Sequence, residues 1–443
     1  MKITMILPAI GKKPGQEYIG TWKMEPLTFA VLQSLTPENI KTELYDDRIE
    51  LINFETETDL VVVCVETYTA KRSYQIADAF RKRGIPVVLG GYHVTLLPDE
   101  AKEYADSLII GNAETIWMTL LEDVKNQDLK KEYRGDVAYT DVLPDRQLFI
   151  GKKYLPISLV ETGRGCCHSC EFCAISSYYQ CRYHPRSHQQ IIKDIQSSQH
   201  KYHFLVDDNL VADQQNFKKL LQAITPLKIK WAGQGTLSMA RDPELLKLMK
   251  DSGCELILIG FESLEEESLQ QMNKSWNQHL EETDELVNRI HNAGIGIYAT
   301  FVLGYDGDTP ETFKKTLAFA RKHRFYTAAF NHLLPFPGTA LYDRLKDEGK
   351  LRYDKWWLED DYHYGEVAFI PKHMTPEELS RLCRKARKEF ARPATVLRRG
   401  LSSMKRSSPL TWFLFWAMNL RLGEEIDEKM NVPIGRHLDE YPK

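Results

Sequence analysis

The chain has 443 residues, 43% hydrophobic and 27% charged, with a net charge of −4. That is ordinary globular composition with enough apolar material for a sizeable core, and it excludes collagen, low-complexity disorder and a disulfide-stapled mini-protein. The near-balanced charge gives no electrostatic case for nucleic acid, and apolar runs of about 12 residues fall short of the roughly 20 that cross a bilayer. The first run, Ile3–Ile10, is broken by Pro8 and has no small-residue cleavage site. It reads as a first β-strand rather than a leader, and the expected compartment is the cytoplasm.

Strand-like runs at 3–7, 42–45, 60–65, 87–89 and 108–110 alternate with helical patterns at 26–35, 70–83, 98–104 and 114–124. Continuous apolar strands between amphipathic helices predict a parallel sheet covered on both faces. Ligands of such sheets bind beyond the carboxyl ends of the strands. Residues 125–150 are polar, contain Pro144 and predict a linker. A second alternation predicts strands at 157–161, 203–206, 228–232, 256–259, 296–303 and 327–334. Helices are predicted between them, at 189–198, 214–224, 243–251, 280–293 and 310–322. Six such units predict a partial (β/α)6 TIM-type barrel with its chemistry at the strand C-termini. The pattern changes after Pro335-Phe336-Pro337-Gly338-Thr339. The expected fold is α/β: a doubly wound Rossmann-like domain with linker at 1–145, the barrel at 146–344, and a third, small, mostly helical unit at 345–443.

Five of the eight cysteines, Cys166, Cys167, Cys170, Cys173 and Cys181, fall within sixteen residues. One dense knot argues for a metal site rather than a disulfide framework. Cys64, Cys254 and Cys383 read as buried small hydrophobes. Cys166, Cys170 and Cys173 have the spacing C-x3-C-x2-C, and three thiolates can hold three irons of a cubane cluster. Zinc would need a fourth ligand from His168, Cys181 or His184, and no second C-x2-C knuckle is present.

With Phe172 before the last cysteine and a barrel strand before the loop, this segment resembles the signature of the radical S-adenosylmethionine (radical SAM) superfamily. The resemblance implies a [4Fe-4S] cluster on Cys166, Cys170 and Cys173, its open iron chelating the amino and carboxylate groups of SAM. One electron then cleaves the sulfonium to a 5′-deoxyadenosyl radical. Cys167 and Cys181 lie outside the motif. Asp207, Asp208 and Asn209 end the second barrel strand and suit the ribose hydroxyls or the SAM amine, against a plain reading as a solvated turn. Gln234 ends the third strand and would contact adenosine or substrate. Glu262 and Ser263 end the fourth and resemble the family's SAM contacts.

No G-x-G-x-x-G follows the first strand, which argues against a dinucleotide. The D-x-H-x-x-G of histidine-ligated cobalamin proteins is missing too. Residues 1–120 still resemble the cobalamin-binding domain that precedes many radical SAM barrels, through Asp59-Leu60-Val61, Glu66–Ala70, Val87–Val94, Pro98-Asp99-Glu100 and Gly111–Glu114. The resemblance implies base-off cobalamin touching Thr67, Tyr68, Thr69, Gly90, Gly91, His93 and Gly111. Loop 66–69 would lie under the corrin, and the glycine pair lets the backbone approach closely. An inherited fold that has lost cobalamin is the alternative.

In the last unit, Thr375 and Glu378 predict a helix-capping box. Tyr362 and His363 read as packing residues ahead of substrate contacts. Residues 381–406 hold ten Lys and Arg against one acid, Glu389, and are followed by Trp412, Phe413, Phe415 and Trp416. A basic stretch beside an aromatic helix resembles an interfacial membrane anchor; a helix packed on the barrel is the competing expectation.

The resemblance implies a cobalamin-dependent radical SAM methyltransferase acting on an unactivated carbon, and it is closest to the group of hopanoid methylases and anaerobic Mg-protoporphyrin cyclases. One SAM would methylate cob(I)alamin, a second would yield the radical, and the substrate radical would take the methyl group. The alternatives are a non-methylating cyclase or oxidoreductase, and a non-catalytic cluster- or cobalamin-sensing protein. The expected partners are a small-molecule substrate, with a lipid or isoprenoid fitting a membrane-facing tail, and an electron donor such as flavodoxin or ferredoxin. No nucleic acid is expected.

Overall fold

The computed structural model describes residues 1–16, 18, 23–137, 141–274, 280–404 and 408–440. Lys405 and Arg406 of the basic stretch therefore lie outside the described residues.

The first sheet contains β1 Lys2–Leu7, β2 Lys41–Asp46, β3 Leu60–Cys64, β4 Val87–Gly90, β5 Ser107–Ile110 and β6 Glu132–Arg134. Its order is β2-β1-β3-β4-β5-β6, and every pairing is parallel. The central strands are buried on both faces, which is why Leu60–Val63 and Val87–Leu89 read as unbroken apolar runs. The winding reverses between β1 and β3, the usual position of a ligand crevice. The predicted linker is corrected by β6, which pairs with β5 through Leu108–Glu132, Ile109–Tyr133 and Ile110–Arg134. A strand with only Tyr133 buried and charges on either side leaves no apolar period to read.

Two short strands, β8 Gly163–Gly165 and β9 Tyr183–Pro185, form an antiparallel hairpin. They interrupt the second sheet, made of β7 Ser158–Val160, β10 Tyr202–Leu205, β11 Lys230–Gly235, β12 Cys254–Glu262, β13 Gly296–Leu303 and β14 Thr327–His332. These six are parallel and pair in sequence order, as in a barrel wound one unit at a time. Their helices start at side-chain caps: Ser187, Asp213 and Asp242 accept from backbone amides three residues on. Pro243 and Pro310 occupy first helical positions, where a missing N–H costs nothing.

The last hundred residues share cores with both sheets. Trp356, Trp357, Tyr362 and Ile434 join the cluster under the first sheet, and Ala386 and Phe390 join that of the second. A knot of polar groups fixes this contact. Trp357 donates to Glu100 Oε1 (3.0 Å), as does Tyr74 (2.9 Å), and Lys355 lies 3.1 Å from Oε2. Thr375 does cap its helix, accepting from the Glu378 amide at 3.1 Å, but the Glu378 carboxylate turns to Arg381 at 3.2 Å instead of closing the box.

Candidate functional site

The β8–β9 hairpin holds the three-cysteine loop at its tip. Both glycines of β8 are required there. A Cβ on Gly163 would fall 2.3 Å from the Tyr183 hydroxyl, and Gly165, at φ +85°, would meet the Arg182 carbonyl at 2.2 Å. Cys166, Cys170 and Cys173 are half-buried, while Cys167 is exposed. Burial pushes the Cys170 thiol up to about 11 and raises Cys166. Cys166, Cys170 and Cys173 stand together on this one loop, and a cubane would take each thiolate on a separate iron. Cys181 turns back toward the Ser176 carbonyl (4.0 Å) at the end of the helix Ala174–Tyr179.

The Asp207-Asp208-Asn209 turn fastens this loop to the barrel. Asp207 accepts from Thr162 N (2.6 Å), Thr162 Oγ1 (2.7 Å) and the Tyr183 hydroxyl (3.1 Å). It is buried, and burial outweighs these bonds to push its carboxyl up to about 7. Asp208 Oδ2 accepts from the Gly165 amide (2.9 Å), and its carbonyl accepts from Gln234 Nε2 (2.9 Å). Asn209 Nδ2 points at Cys166 Sγ from 3.7 Å. Asp207 and Asn209, expected as ribose or amine contacts, hold the loop in this structure, and Asp208 and Gln234 carry one such bond each. Glu262, in the left-handed region at φ +64°, pairs with buried Lys274 at 2.7 Å. Ser263 donates to Asp308 Oδ1 (3.0 Å), which also accepts from Ser268 (2.9 Å), so it serves the Gly304–Asp308 turn.

The carboxyl edge of the first sheet faces the same loop. A 210 Å³ cavity is lined by Gly90, Gly91 and Gly111 of the first sheet, by Arg164 of the hairpin and Tyr178 and Tyr179 of the helix within its loop, and by Phe29 and Leu32. Gly91 has φ +109°, and a Cβ there would meet the Val65 carbonyl at 2.7 Å. Arg164 bridges the two sheets, reaching Glu114 Oε1 (2.6 Å) and Glu161 (2.8 Å). A second cavity of 310 Å³ opens beyond β1 and is lined by Leu7, Ile10, Glu66, Thr69, Tyr364, Lys429 and others.

His93, expected to touch a corrinoid, is fully buried, with Nδ1 against Thr67 Oγ1 (3.2 Å) and Nε2 against Glu100 Oε1 (3.1 Å), and it lines neither of these two cavities. Thr67 is occupied by that contact. Tyr68 packs among Phe336, Trp356 and Tyr364, with ring centroids 6.1, 5.0 and 5.2 Å away. Tyr362 is likewise buried in the aromatic cluster, and His363 Nδ1 turns to the Asp361 carbonyl.

Three residues escaped the sequence reading. Arg164 lay in an unremarkable Gly-Arg-Gly. Lys274 followed a short helix with no motif. His332, at the C-terminus of β14, carried the one available signal, its strand-end position. Its Nδ1 faces the Leu333 carbonyl (3.0 Å), and burial holds the ring down to about 4, so it is neutral at pH 7.

Comparison with known proteins agrees with this geometry. Residues 160–320 match the Radical SAM superfamily model. A bacteriochlorophyllide d C-12(1)-methyltransferase of Chlorobaculum tepidum is 30% identical over 370 residues, covering 81% of this chain and 79% of that protein. A hopanoid C-2 methylase of Rhodopseudomonas palustris is 27% identical, covering 79% and 68%. Among solved structures, the radical SAM methyltransferase TsrM of Kitasatospora setae, with cobalamin and a [4Fe-4S] cluster bound, superposes with a TM-score of 0.65 at 15% identity. That superposition covers 96% of this chain and 99% of TsrM.

Proposed function

This chain belongs to the radical SAM superfamily, and from that premise we propose that it is a cobalamin-dependent methyltransferase acting on an unactivated carbon of a small apolar molecule. The observation that carries the reading is the shared cavity. Gly90, Gly91 and Gly111 form one wall, and the cysteine hairpin forms the other. A methyl carrier on the first sheet and a radical source on the second would therefore meet without a long transfer.

In this reading Cys166, Cys170 and Cys173 hold the cluster, and the glycine edge with Phe29 and Leu32 holds the corrinoid tail. When bound, the cluster supplies the electron that cleaves SAM, and the corrinoid carries the methyl group. Asp207, Asp208 and Asn209 hold the loop in register. The Glu161–Arg164–Glu114 bridge fixes the spacing of the two sheets. The 310 Å³ cavity, walled by Leu7, Ile10 and Tyr364, receives substrate and excludes water. Overall, one substrate C–H, two SAM and two electrons from an external donor of the flavodoxin or ferredoxin class react. They give C–CH3, S-adenosylhomocysteine, methionine and 5′-deoxyadenosine, the last retaining the abstracted hydrogen. The relatives' substrates point to an apolar polycycle, a class that includes isoprenoid lipids, and the protein would meet it by peripheral contact with a membrane.

The test is anaerobic turnover with cobalamin, a reductant and SAM deuterated at its methyl group, using bacteriochlorophyllide d and a hopanoid as probe substrates. The expected result is a product heavier by a trideuteromethyl group, with S-adenosylhomocysteine and 5′-deoxyadenosine in equal amounts. 5′-Deoxyadenosine accompanied by a changed but unmethylated product would assign a cyclase or oxidoreductase instead.

A further inference from the structure

The helices Pro393–Ser403 and Pro409–Lys429 form an antiparallel pair. Trp412 Nε1 donates to the Gly400 carbonyl (2.9 Å), and further along Arg399 Nη1 donates to Asn419 Oδ1 (2.9 Å). Their inner face is settled. Phe415 is fully buried against Tyr326, and Arg399 is buried over the Phe390 ring at 4.0 Å while donating to the carbonyls of Phe390 and Tyr326. The sequence-level anchor is thereby divided: Phe415 belongs to the core, Trp412 and Trp416 fill the seam beside Gly400, and only Phe413 of that cluster is exposed.

The outer face departs from the usual polar pattern. Leu397, Leu401 and Met404 on the first helix, and Phe413 and Leu420 on the second, are each more than half exposed. Their spacings of four, three and seven residues put each set on one stripe. In an antiparallel pair sharing this seam, the two stripes form one apolar strip on the solvent side. Neither helix is long and apolar enough to cross a membrane.

We infer that this strip is the surface through which the protein lies on an anionic lipid membrane, a step that gives the proposed peripheral contact a definite face. Charge selects the occupant. Residues 390–423 hold six Lys and Arg and no acid. Of these, Arg392 pairs with Glu389 and Arg399 is buried, while Arg398 is exposed with no ion pair within 4.0 Å among the described residues and exposed Arg421 lies one turn before Glu425, whose carboxylate feels its charge. A second copy docked here by twofold symmetry would set cations against cations, whereas anionic headgroups neutralise them while the apolar side chains enter the acyl boundary.

The test uses the full-length holoprotein and sedimentation with vesicles of phosphatidylglycerol or phosphatidylcholine. The expected result is binding to the anionic vesicles that weakens with salt. Leu401→Glu with Phe413→Glu should lower binding about tenfold or more. Arg398→Ala with Arg421→Ala should lower it severalfold on the anionic vesicles alone. Iron content and 5′-deoxyadenosine formation should stay unchanged in both, since both pairs are exposed. Wild-type binding by the Leu401/Phe413 variant would overturn the inference. So would negligible binding of the wild type, or a wild-type dimer in sedimentation equilibrium that this variant disperses. None of these outcomes bears on methyl transfer, which is assayed in solution.

Discussion

At its carboxyl edge the first sheet presents glycines, Gly90, Gly91 and Gly111, while the second presents acids and amides, Asp207, Asp208, Asn209, Gln234 and Glu262. The glycine edge makes room: its backbone is already in contact with itself, as at Gly91 against Val65, and what remains is a slot. The polar edge does the reverse. Asp207, Asp208 and Asn209 hold the chain's own hairpin, while Gln234 braces the Asp208 carbonyl and Glu262 pairs with Lys274, so that three thiols hang from a loop tied down at Thr162, Gly165 and Cys166. One edge leaves room by subtraction, and the other positions a loop.

The largest expected effect breaks the polar edge. Cys166→Ala, Cys170→Ala or Cys173→Ala should take reconstituted protein from about four irons per chain to a small residue and abolish 5′-deoxyadenosine formation. Cys181→Ala should keep both. Iron analysis and SAM cleavage by the same samples decide it; a cluster lost with Cys181 and kept without Cys166 would reverse the ligand assignment.

Next comes the glycine edge. Gly91→Ala forces a side chain into a left-handed position against backbone and should destabilise the first sheet by about 3 kcal/mol. Chemical denaturation measures this, and corrinoid retained after desalting should fall with it. Retention equal to wild type would place the corrinoid elsewhere.

The two edges also differ in their response to pH. Burial pushes the Glu100 carboxyl up, but hydrogen bonds from His93, Trp357 and Lys355, with the charge of His93, prevail and hold it at about 2. Its contribution is present above the ordinary carboxylate range and is lost as pH falls toward 2. Glu100→Gln should cost about 2 kcal/mol at neutral pH and make stability less steep in acid. Asp207 behaves oppositely. Its carboxyl is raised to about 7, so its stabilising contribution is full below pH 4 and fades as pH climbs through 7. Asp207→Asn should flatten that slope between pH 4 and 7, as thermal unfolding across the range will report; an unchanged slope would mean the carboxyl titrates normally. The smallest effect belongs to Cys167→Ser, an exposed residue beside the motif, which should leave iron content and SAM cleavage as they were.

Much of the architecture was legible because it is written in local periods. Leu60–Val63 and Val87–Leu89 announce buried parallel strands, and the C-x3-C-x2-C spacing announces its loop. β6 was not legible, since one buried Tyr133 between charged neighbours carries no period. The C-terminal aromatics were legible as a cluster but not as a direction: Phe413 and Phe415 are two residues apart and point opposite ways.

By itself the sequence determined the order of strands and helices, the position of the glycines, and the set of thiols, because each depends on neighbours a few residues away. Only the tertiary structure decided where the polar groups spend their hydrogen bonds. Asp207 meets Thr162 across 45 residues, His93 meets a Glu100 also held by Trp357 from 257 residues on, and Arg399 meets Asn419 beneath an apolar face. A buried polar group must find a partner, and which partner lies within reach is fixed by the packing of whole sheets, a quantity no local pattern contains.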